Sequence, residues 1–347
     1  MHILIEDQQY SYSERRSLAV KPDLDLKLVK NAELSEAVET YLLDHFPLRD
    51  LYRKITASTN IYLLQMMDHN GVFYQNGGLY KTEFPLKSDQ VKQAAELISM
   101  LSVGSLSELN SYYAIIPDKN FYLPDPNISP RFDHGRILEI MKNSTEKSKL
   151  IDITSELSVE HYYKTDLHWD QSKLTELAAV LAMEMGNFRN GELPQYEIHD
   201  YSPFHGAWHG RWAIGNQADK LTWLSNTQVE EAKVFDHYDG SLHGVYEIDA
   251  LQRPDAYDLY LNGARPLLTI TSKPERSETH NKLYLFRDSF GSSLAPLLLA
   301  YYDEIVLIDL RYVSASSLYN LIEFTPGADV LFLYSSMIIN DSSMLRR

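Results

Sequence analysis

The chain has no cysteine among its 347 residues, which excludes disulfides, thiolate metal sites and a cysteine nucleophile. No apolar run approaches the ~20 residues that a membrane-spanning helix needs. The opening stretch, MHILIEDQQYSYSERRS, lacks the long apolar core of a secretory signal. Two expectations follow from this: a cytoplasmic protein, or an export segment upstream of this sequence. Positive charge is scarce as well. Against 48 Asp and Glu stand 32 Lys and Arg, a formal charge of -16. A nucleic-acid partner needs clustered cations to displace its counterions, and no such cluster is present, so nucleic acid is excluded as a partner. The same balance disfavours a strongly anionic polymer and predicts a neutral or weakly charged one. Internal repeats and low-complexity tracts are also missing.

What is present is an ordinary globular composition in a chain long enough for two domains or one elaborated domain. Aromatic residues are plentiful, with 24 Tyr, 12 Phe and 4 Trp. They suit sugar-binding surfaces and equally suit the edge of a core.

Apolar residues recur at helical spacing over Ala32–Phe46, Leu51–Met67 and Ser88–Leu101. Between the second and third, Asn76-Gly77-Gly78 inside an alternating stretch predicts a β-hairpin. Tyr112–Pro117, Lys149–Ile153, Leu283–Phe286, Ile305–Leu310 and Asp329–Tyr334 are short apolar runs, the pattern of strands buried on both faces. Asp170 is placed to cap a long helix reaching Met185, and a further helix is predicted near Ser314–Glu323. Strands alternating with helices predict an α/β fold whose parallel sheet is covered on both faces. Pro194–Ser272, rich in glycine, aromatics and turn residues, breaks the alternation and predicts a β-rich insertion.

Two stretches carry chemistry. In Lys282–Tyr302 an apolar strand ends at Arg287-Asp288-Ser289, turns at Phe290-Gly291 and continues with helical spacing. A serine on a strand-to-helix turn is where nucleophilic hydroxyls are often presented. In Asp166-Leu167-His168 the carboxylate and the imidazole are two residues apart, so in extended backbone both point to one side. That arrangement lets Asp166 orient Nδ1 of His168 while Nε2 faces Ser289. Taken singly, Ser289 also reads as a helix cap, Asp166 as a turn cap and His168 as a polar loop residue.

Tyr163-Lys164-Thr165-Asp166-Leu167-His168-Trp169 resembles the Tyr-Lys/Arg-Thr-Asp-x-His-Trp signature of the DHHW family and the alginate O-acetylation proteins, which are similar to the SGNH/GDSL hydrolases. Phe46-Pro47-Leu48-Arg49-Asp50, the hairpin Val72–Tyr80, Ile116-Pro117-Asp118-Lys119, Tyr257–Gly263 and Arg287–Gly291 resemble further family segments in the same order. The resemblance implies Ser289 as nucleophile, His168 as base and Asp166 as orienting carboxylate. Three positions depart from the pattern. Leu167 stands where the family has its first histidine, Arg287 where a glycine is familiar, and Asn262-Gly263-Ala264 where Gly-Gly-Asn is usual. The last leaves the N–H groups of Gly263 and Ser289 as candidate oxyanion donors.

Weaker signals complete the reading. Trp169, Tyr163 and Arg287 are candidate substrate contacts, although Trp169 also reads as packing and Arg287 as half of a structural ion pair. Trp208 and Trp212 suit sugar stacking. His205 and His209 are four apart, but flanking glycines and the lack of a following acid argue against a metal site, and no metal or cofactor is expected.

The expected architecture is an SGNH-like three-layer α/β/α sandwich. Residues 1–105 form an N-terminal helical arm and hairpin packing on the core; residues 106–347 form the α/β domain, with the insertion at about 190–275. The implied function is O-acetyl transfer to a cell-surface or secreted polysaccharide, or hydrolysis of its acetyl esters. The implied partners are a polysaccharide acceptor and an acetyl donor such as a membrane acyl-transfer protein. The implied location is extracytoplasmic, in the cell envelope or secreted, with an anchor upstream of this sequence. The competing expectation is a non-catalytic glycan-binding component of exopolysaccharide assembly.

Overall fold

A computed structural model of the chain describes residues 9–11, 13–22, 32–82, 84–124, 131–188, 191–272 and 281–347. Described residues gather into two compact units. One comprises those up to Thr82 together with Lys164–Asp166 and Pro203–Asp219; the other comprises those of Glu83–Tyr163, Leu167–Ser202 and Lys220–Arg347.

The chain opens with a two-residue ladder, β1 (Tyr10–Ser11) and β2 (Arg16–Ser17), followed by helices α1 (Ala32–Asp44) and α2 (Arg49–Ser58). A single π-helical turn, Thr59–Leu63, extends α2. The hairpin is present as β3 (Val72–Gln75) and β4 (Gly78–Lys81), with Asn76 and Gly77 both at positive φ, as a two-residue turn of this hand requires. Within α1, Leu42 and Leu43 are 60% and 63% exposed, so the helical period is observed but these two side chains are not buried.

The second unit continues with α3 (Ser88–Val103), β5 (Asn110–Ile116), α4 (His134–Ser144) and β6 (Lys149–Leu150), then α5 (Thr175–Glu184). Helix α3, placed before residue 105 from the sequence, lies in this unit. Asp170 does act as a cap, but of the 3-10 turn Gln171–Lys173, which precedes α5. In chain order strand β7 (Glu197–Phe204), helix α6 (Ala207–Trp212) of the first unit, strand β8 (Asp219–Ser225) and helix α7 (Thr227–Glu231) follow. The remainder is β9 (Lys233–Asp236), β10 (Leu242–His243), β11 (Leu267–Thr271), β12 (Lys282–Arg287), α8 (Phe290–Leu298), β13 (Glu304–Ile308), β14 (Asp329–Ser335) and α9 (Ser336–Asn340). The helix expected near Ser314–Glu323 is a 3-10 helix, Ala315–Asn320.

Eight strands form one sheet in the order β10-β9-β11-β13-β12-β14-β5-β6. Five of them, β13 to β6, are parallel, with Leu285 opposite both Leu307 and Leu331. The expected parallel sheet is present and is extended at one edge by antiparallel strands. Strand β11 pairs antiparallel with β13, and β9 and β10 continue in antiparallel pairing. The region expected as an insertion at about 190–275 thus supplies three strands to the main sheet.

Side-chain alternation along the parallel strands builds two cores. Leu283, Leu285, Leu307, Leu331 and Leu333 pack with Leu177 and Leu181 of α5 and Leu294 and Leu298 of α8. Tyr284, Phe286, Ile308, Phe332 and Tyr334 pack on the other face with Ile98 of α3 and Ile137 of α4. Helices on both faces make the three-layer α/β/α arrangement, and strands covered on both faces carry no polar alternation.

Candidate active site

Strand β12 delivers Ser289 to the carboxyl end of the sheet, where sites form in open α/β folds. The turn after it is held by Asp288. Its Oδ1 accepts the Phe290 N–H at 3.0 Å, and its Oδ2 accepts the Ser335 N–H at 2.8 Å from the end of neighbouring β14. Both oxygens of a buried carboxylate are therefore committed to fixing the backbone on either side of Ser289. Gly291 is required by close approach: a Cβ there would sit 2.6 Å from the Arg287 Cβ. Helix α8 can begin directly over the strand end only because nothing projects from that position.

His168 comes from an extended stretch tied down on several sides. The Tyr163 N–H donates to the His168 carbonyl at 3.0 Å, and the buried Lys119 ammonium donates to the Tyr163 carbonyl at 2.9 Å. Trp169, with no exposed surface, donates its indole N–H to the Phe290 carbonyl at 3.1 Å and the Ser293 hydroxyl at 2.8 Å. Gln171 donates to the Ser293 carbonyl at 2.6 Å, and the Tyr257 hydroxyl donates to Ser293 Oγ at 2.9 Å. Ser293, one turn into α8, is the point at which the two chemistry-bearing stretches are fastened together.

The outcome is a direct contact, with Nε2 of His168 2.7 Å from Oγ of Ser289. That separation lies within hydrogen-bond range and suits proton transfer between hydroxyl and imidazole. The imidazole is only 7% exposed. Its ring lies flat on Tyr257, with centroids 3.9 Å apart and planes inclined by 12°, while Phe290 closes another side at 5.0 Å.

Asp166 belongs to the first unit, where it is fully buried. Its Oδ2 accepts from Arg15 Nη1 at 2.9 Å and from the Ala207 N–H at 2.7 Å. An arginine and a backbone amide are both hydrogen-bond donors suited to a buried carboxylate.

The remaining sequence-predicted residues have different surroundings. Arg287 is completely buried and does not line an open surface. Its Nη1 is 3.6 Å from Asp309, which also pairs with Arg311 at 2.7 Å, and donates to the Asp288 carbonyl at 3.4 Å. Burial pushes the Arg287 guanidinium down and Asp309 opposes that shift. Tyr163 is buried, its hydroxyl accepting the Thr222 N–H at 3.2 Å, and burial pushes its phenol well up. Trp169 is packing of the kind just described. Geometry thus gives these three side chains structural contacts.

Of the two oxyanion candidates, the Gly263 N–H is already donated to the Tyr260 carbonyl at 3.2 Å, within a turn where Leu261, Asn262 and Gly263 all have positive φ. The Ser289 N–H has no acceptor among the described residues. Tyr257 and Ser293 were not singled out from the sequence as site residues. Tyr257 opens one of the motif segments, a signal that pointed to it without giving its role.

No family model matches the chain, and no curated protein matches it at a significant level. Solved structures do. A DHHW family protein from Eubacterium siraeum superimposes with a TM-score of 0.61 at 18% identity, covering 81% of this chain and 97% of that one. The chain is similar in fold to that protein. Bacillus cereus PatB1, solved with a sulfonyl adduct, matches with a TM-score of 0.60 at 18% identity over 77% of this chain and 97% of its own. The O-acetyltransferase domain of Pseudomonas putida AlgJ is more distant, with a TM-score of 0.44 at 10% identity over 78% of this chain and 92% of that one. At such identities the likeness is one of fold.

Proposed function

We propose that the protein transfers acetyl groups to hydroxyls of a neutral cell-surface or secreted polysaccharide, with Ser289 as nucleophile, His168 as base and Asp166 as the carboxylate that orients the imidazole. The observation that carries this reading is the 2.7 Å contact between Ser289 Oγ and His168 Nε2. Ser289 Oγ adds to the carbonyl of an acetyl donor while its proton passes to Nε2. That proton leaves with the donor's departing oxygen, and an acetyl-serine ester remains. A sugar hydroxyl then attacks the ester, giving its proton to His168, and Ser289 recovers a proton as the acetylated sugar departs. Asp166, two residues before His168 in the chain, takes the orienting role. The unclaimed Ser289 N–H is the donor assigned to the developing oxyanion.

Hydrolysis follows the same course with water as acceptor. The wall of Tyr257 and Phe290 around the buried imidazole favours transfer, because excluding water protects an acyl intermediate from hydrolysis. The chain's acidic balance favours a neutral acceptor. We assign the protein to the extracytoplasmic side of the cell envelope, with an acetyl donor supplied at the membrane. No helix among the described residues is long and apolar enough to cross a membrane.

The test is turnover of 4-nitrophenyl acetate by the wild type and by Ser289→Ala, alongside labelling with a sulfonyl fluoride, an electrophile that captures activated hydroxyls. The expected result is a rate and a sulfonyl mass increment on Ser289 in the wild type, both lost in the variant. Equal rates in the two proteins would sink the assignment.

A further inference from the structure

His168, Ser289 and Tyr257 all lie in the second unit. Phe290 and Tyr257 both stand against the imidazole, and they meet it differently. Phe290 is tilted at 56° with centroids 5.0 Å apart, whereas Tyr257 lies at 12° and 3.9 Å. The torsion about a histidine Cβ–Cγ bond is broad and fixes the ring plane poorly by itself. A ring stacked this closely supplies the missing restraint. Turning the imidazole out of parallel drives its edge into the tyrosine face and swings Nε2 away from Ser289 Oγ, 2.7 Å distant.

The tyrosine is itself held in place. It sits in the 3-10 turn Ala256–Leu259, where Asp255 accepts its N–H at 3.0 Å. Tyr260 backs it edge-on, with centroids 4.9 Å apart and planes at 60°. Its hydroxyl donates to Ser293 Oγ at 2.9 Å. The Ser293 hydroxyl in turn donates to the Phe290 carbonyl at 3.2 Å and accepts from Trp169 as well as Tyr257, which uses the one donor and two acceptor sites a serine has. Ser293 lies one turn along the helix that begins at Phe290, so the plane of Tyr257 is keyed to the element that follows Ser289. The tyrosine face is also electron-rich. When His168 accepts the Ser289 proton, a cation develops over that face and is stabilised by it. The neutral ring gains less, so the benefit falls on the transition state.

We infer that Tyr257 is a positioning residue for acyl transfer: it acts through His168, fixing the imidazole plane on Ser289 and stabilising the positive charge that the ring takes on. The inference rests on Ser289 as nucleophile and His168 as base. Tyr257 itself forms and breaks no bond; one proton moves, from Ser289 Oγ to Nε2.

The experiment compares full-length wild type, Tyr257→Phe and Tyr257→Leu in 4-nitrophenyl acetate turnover and in the ring 15N shifts of labelled histidine. Ser289→Ala supplies the reference for a His168 ring that has lost its contact. Tyr257→Leu is expected to lower kcat about tenfold or more with KM within about twofold of wild type, since the loss falls on the transition state. Tyr257→Phe keeps the face and gives up one hydrogen bond, so its kcat stays within about threefold of wild type. The His168 Nε2 shift should hold its wild-type value in Tyr257→Phe and move toward the Ser289→Ala value in Tyr257→Leu. Wild-type kcat in Tyr257→Leu, Tyr257→Phe as slow as Tyr257→Leu, or an unmoved Nε2 shift in Tyr257→Leu overturns the inference. If Tyr257→Leu does not fold, Tyr257→Met takes its place, a flexible side chain that fills irregular space. Wild type without turnover would sink the reading of Ser289 as nucleophile, whereas the Nε2 shift still decides whether Tyr257 holds the ring.

Discussion

The parallel and antiparallel halves of the eight-stranded sheet are built on different terms. In the parallel half every residue of β13 and β14 is buried, as is β12 beyond Lys282. Helices cover both faces, and the strand ends present Ser289 to His168. In the antiparallel half β9 alternates, with Val234 and Asp236 inside and Lys233 and Phe235 exposed, and β10 is partly to fully exposed. Two-sided burial makes a strand intolerant of change and rigid enough to hold a nucleophile in place; one-sided burial leaves freedom to vary.

The sharpest way to break this contrast is at the strand end itself. Ser289→Ala should lower acetyl-ester turnover by at least ~10³-fold, while its thermal midpoint stays close to that of wild type, because only one hydroxyl is removed. A large fall in the midpoint would show the serine to be a structural cap.

The next largest effect compares the halves directly. Leu285→Ala, on fully buried β12, should cost roughly 2–5 kcal/mol in urea unfolding. Phe235→Ala, on β9 and 40% exposed, should cost clearly less. Equal losses would dissolve the distinction.

Trp169→Phe probes how the two chemistry-bearing stretches are fastened. Loss of the indole N–H to Phe290 and Ser293 should cost about 1–3 kcal/mol and reduce turnover as well, since His168 adjoins it. Unchanged kinetics with lowered stability would limit Trp169 to packing.

The smallest effect is one of pH, on the α4 side of the parallel half. His134 is buried with both ring nitrogens unpartnered, and burial pushes its imidazole down to about 4. Over the window from the ordinary imidazole range, near 6.5, down to about 4 the unfolded chain binds a proton that the folded chain refuses. The associated stability is fully present above that window and falls with pH inside it, at up to ~1.4 kcal/mol per pH unit. His134→Leu should flatten this fall between pH 6.5 and 4.5 in urea unfolding. An identical slope in the variant would clear His134 of the role.

The same contrast explains what was legible in the sequence. Tyr112–Pro117, Leu283–Phe286, Ile305–Leu310 and Asp329–Tyr334 are continuous apolar runs because both faces are covered, and all four are strands at nearly the predicted bounds. Lys233–Asp236 and Leu267–Thr271 carry too few consecutive apolar residues to declare that they extend the same sheet; pairing with β13 is a long-range choice. For Arg287, Tyr163 and Trp169 the residue types are compatible with ligand contact, and only the fold shows that all three are buried. His134 gave no sequence signal, because an unpartnered ring nitrogen is defined entirely by its surroundings.

By itself the sequence determined the α/β alternation, the strand–turn–helix at Ser289 and the two-residue spacing of Asp166 and His168, since local periodicity and turn chemistry are written in neighbouring residues. Only the tertiary structure decided that Nε2 of His168 meets Oγ of Ser289 across 121 positions of chain. It also decided that Tyr257 lies flat on that ring and that the Gly263 N–H is already donated. Such contacts depend on which side chains packing brings together, and no local pattern encodes that.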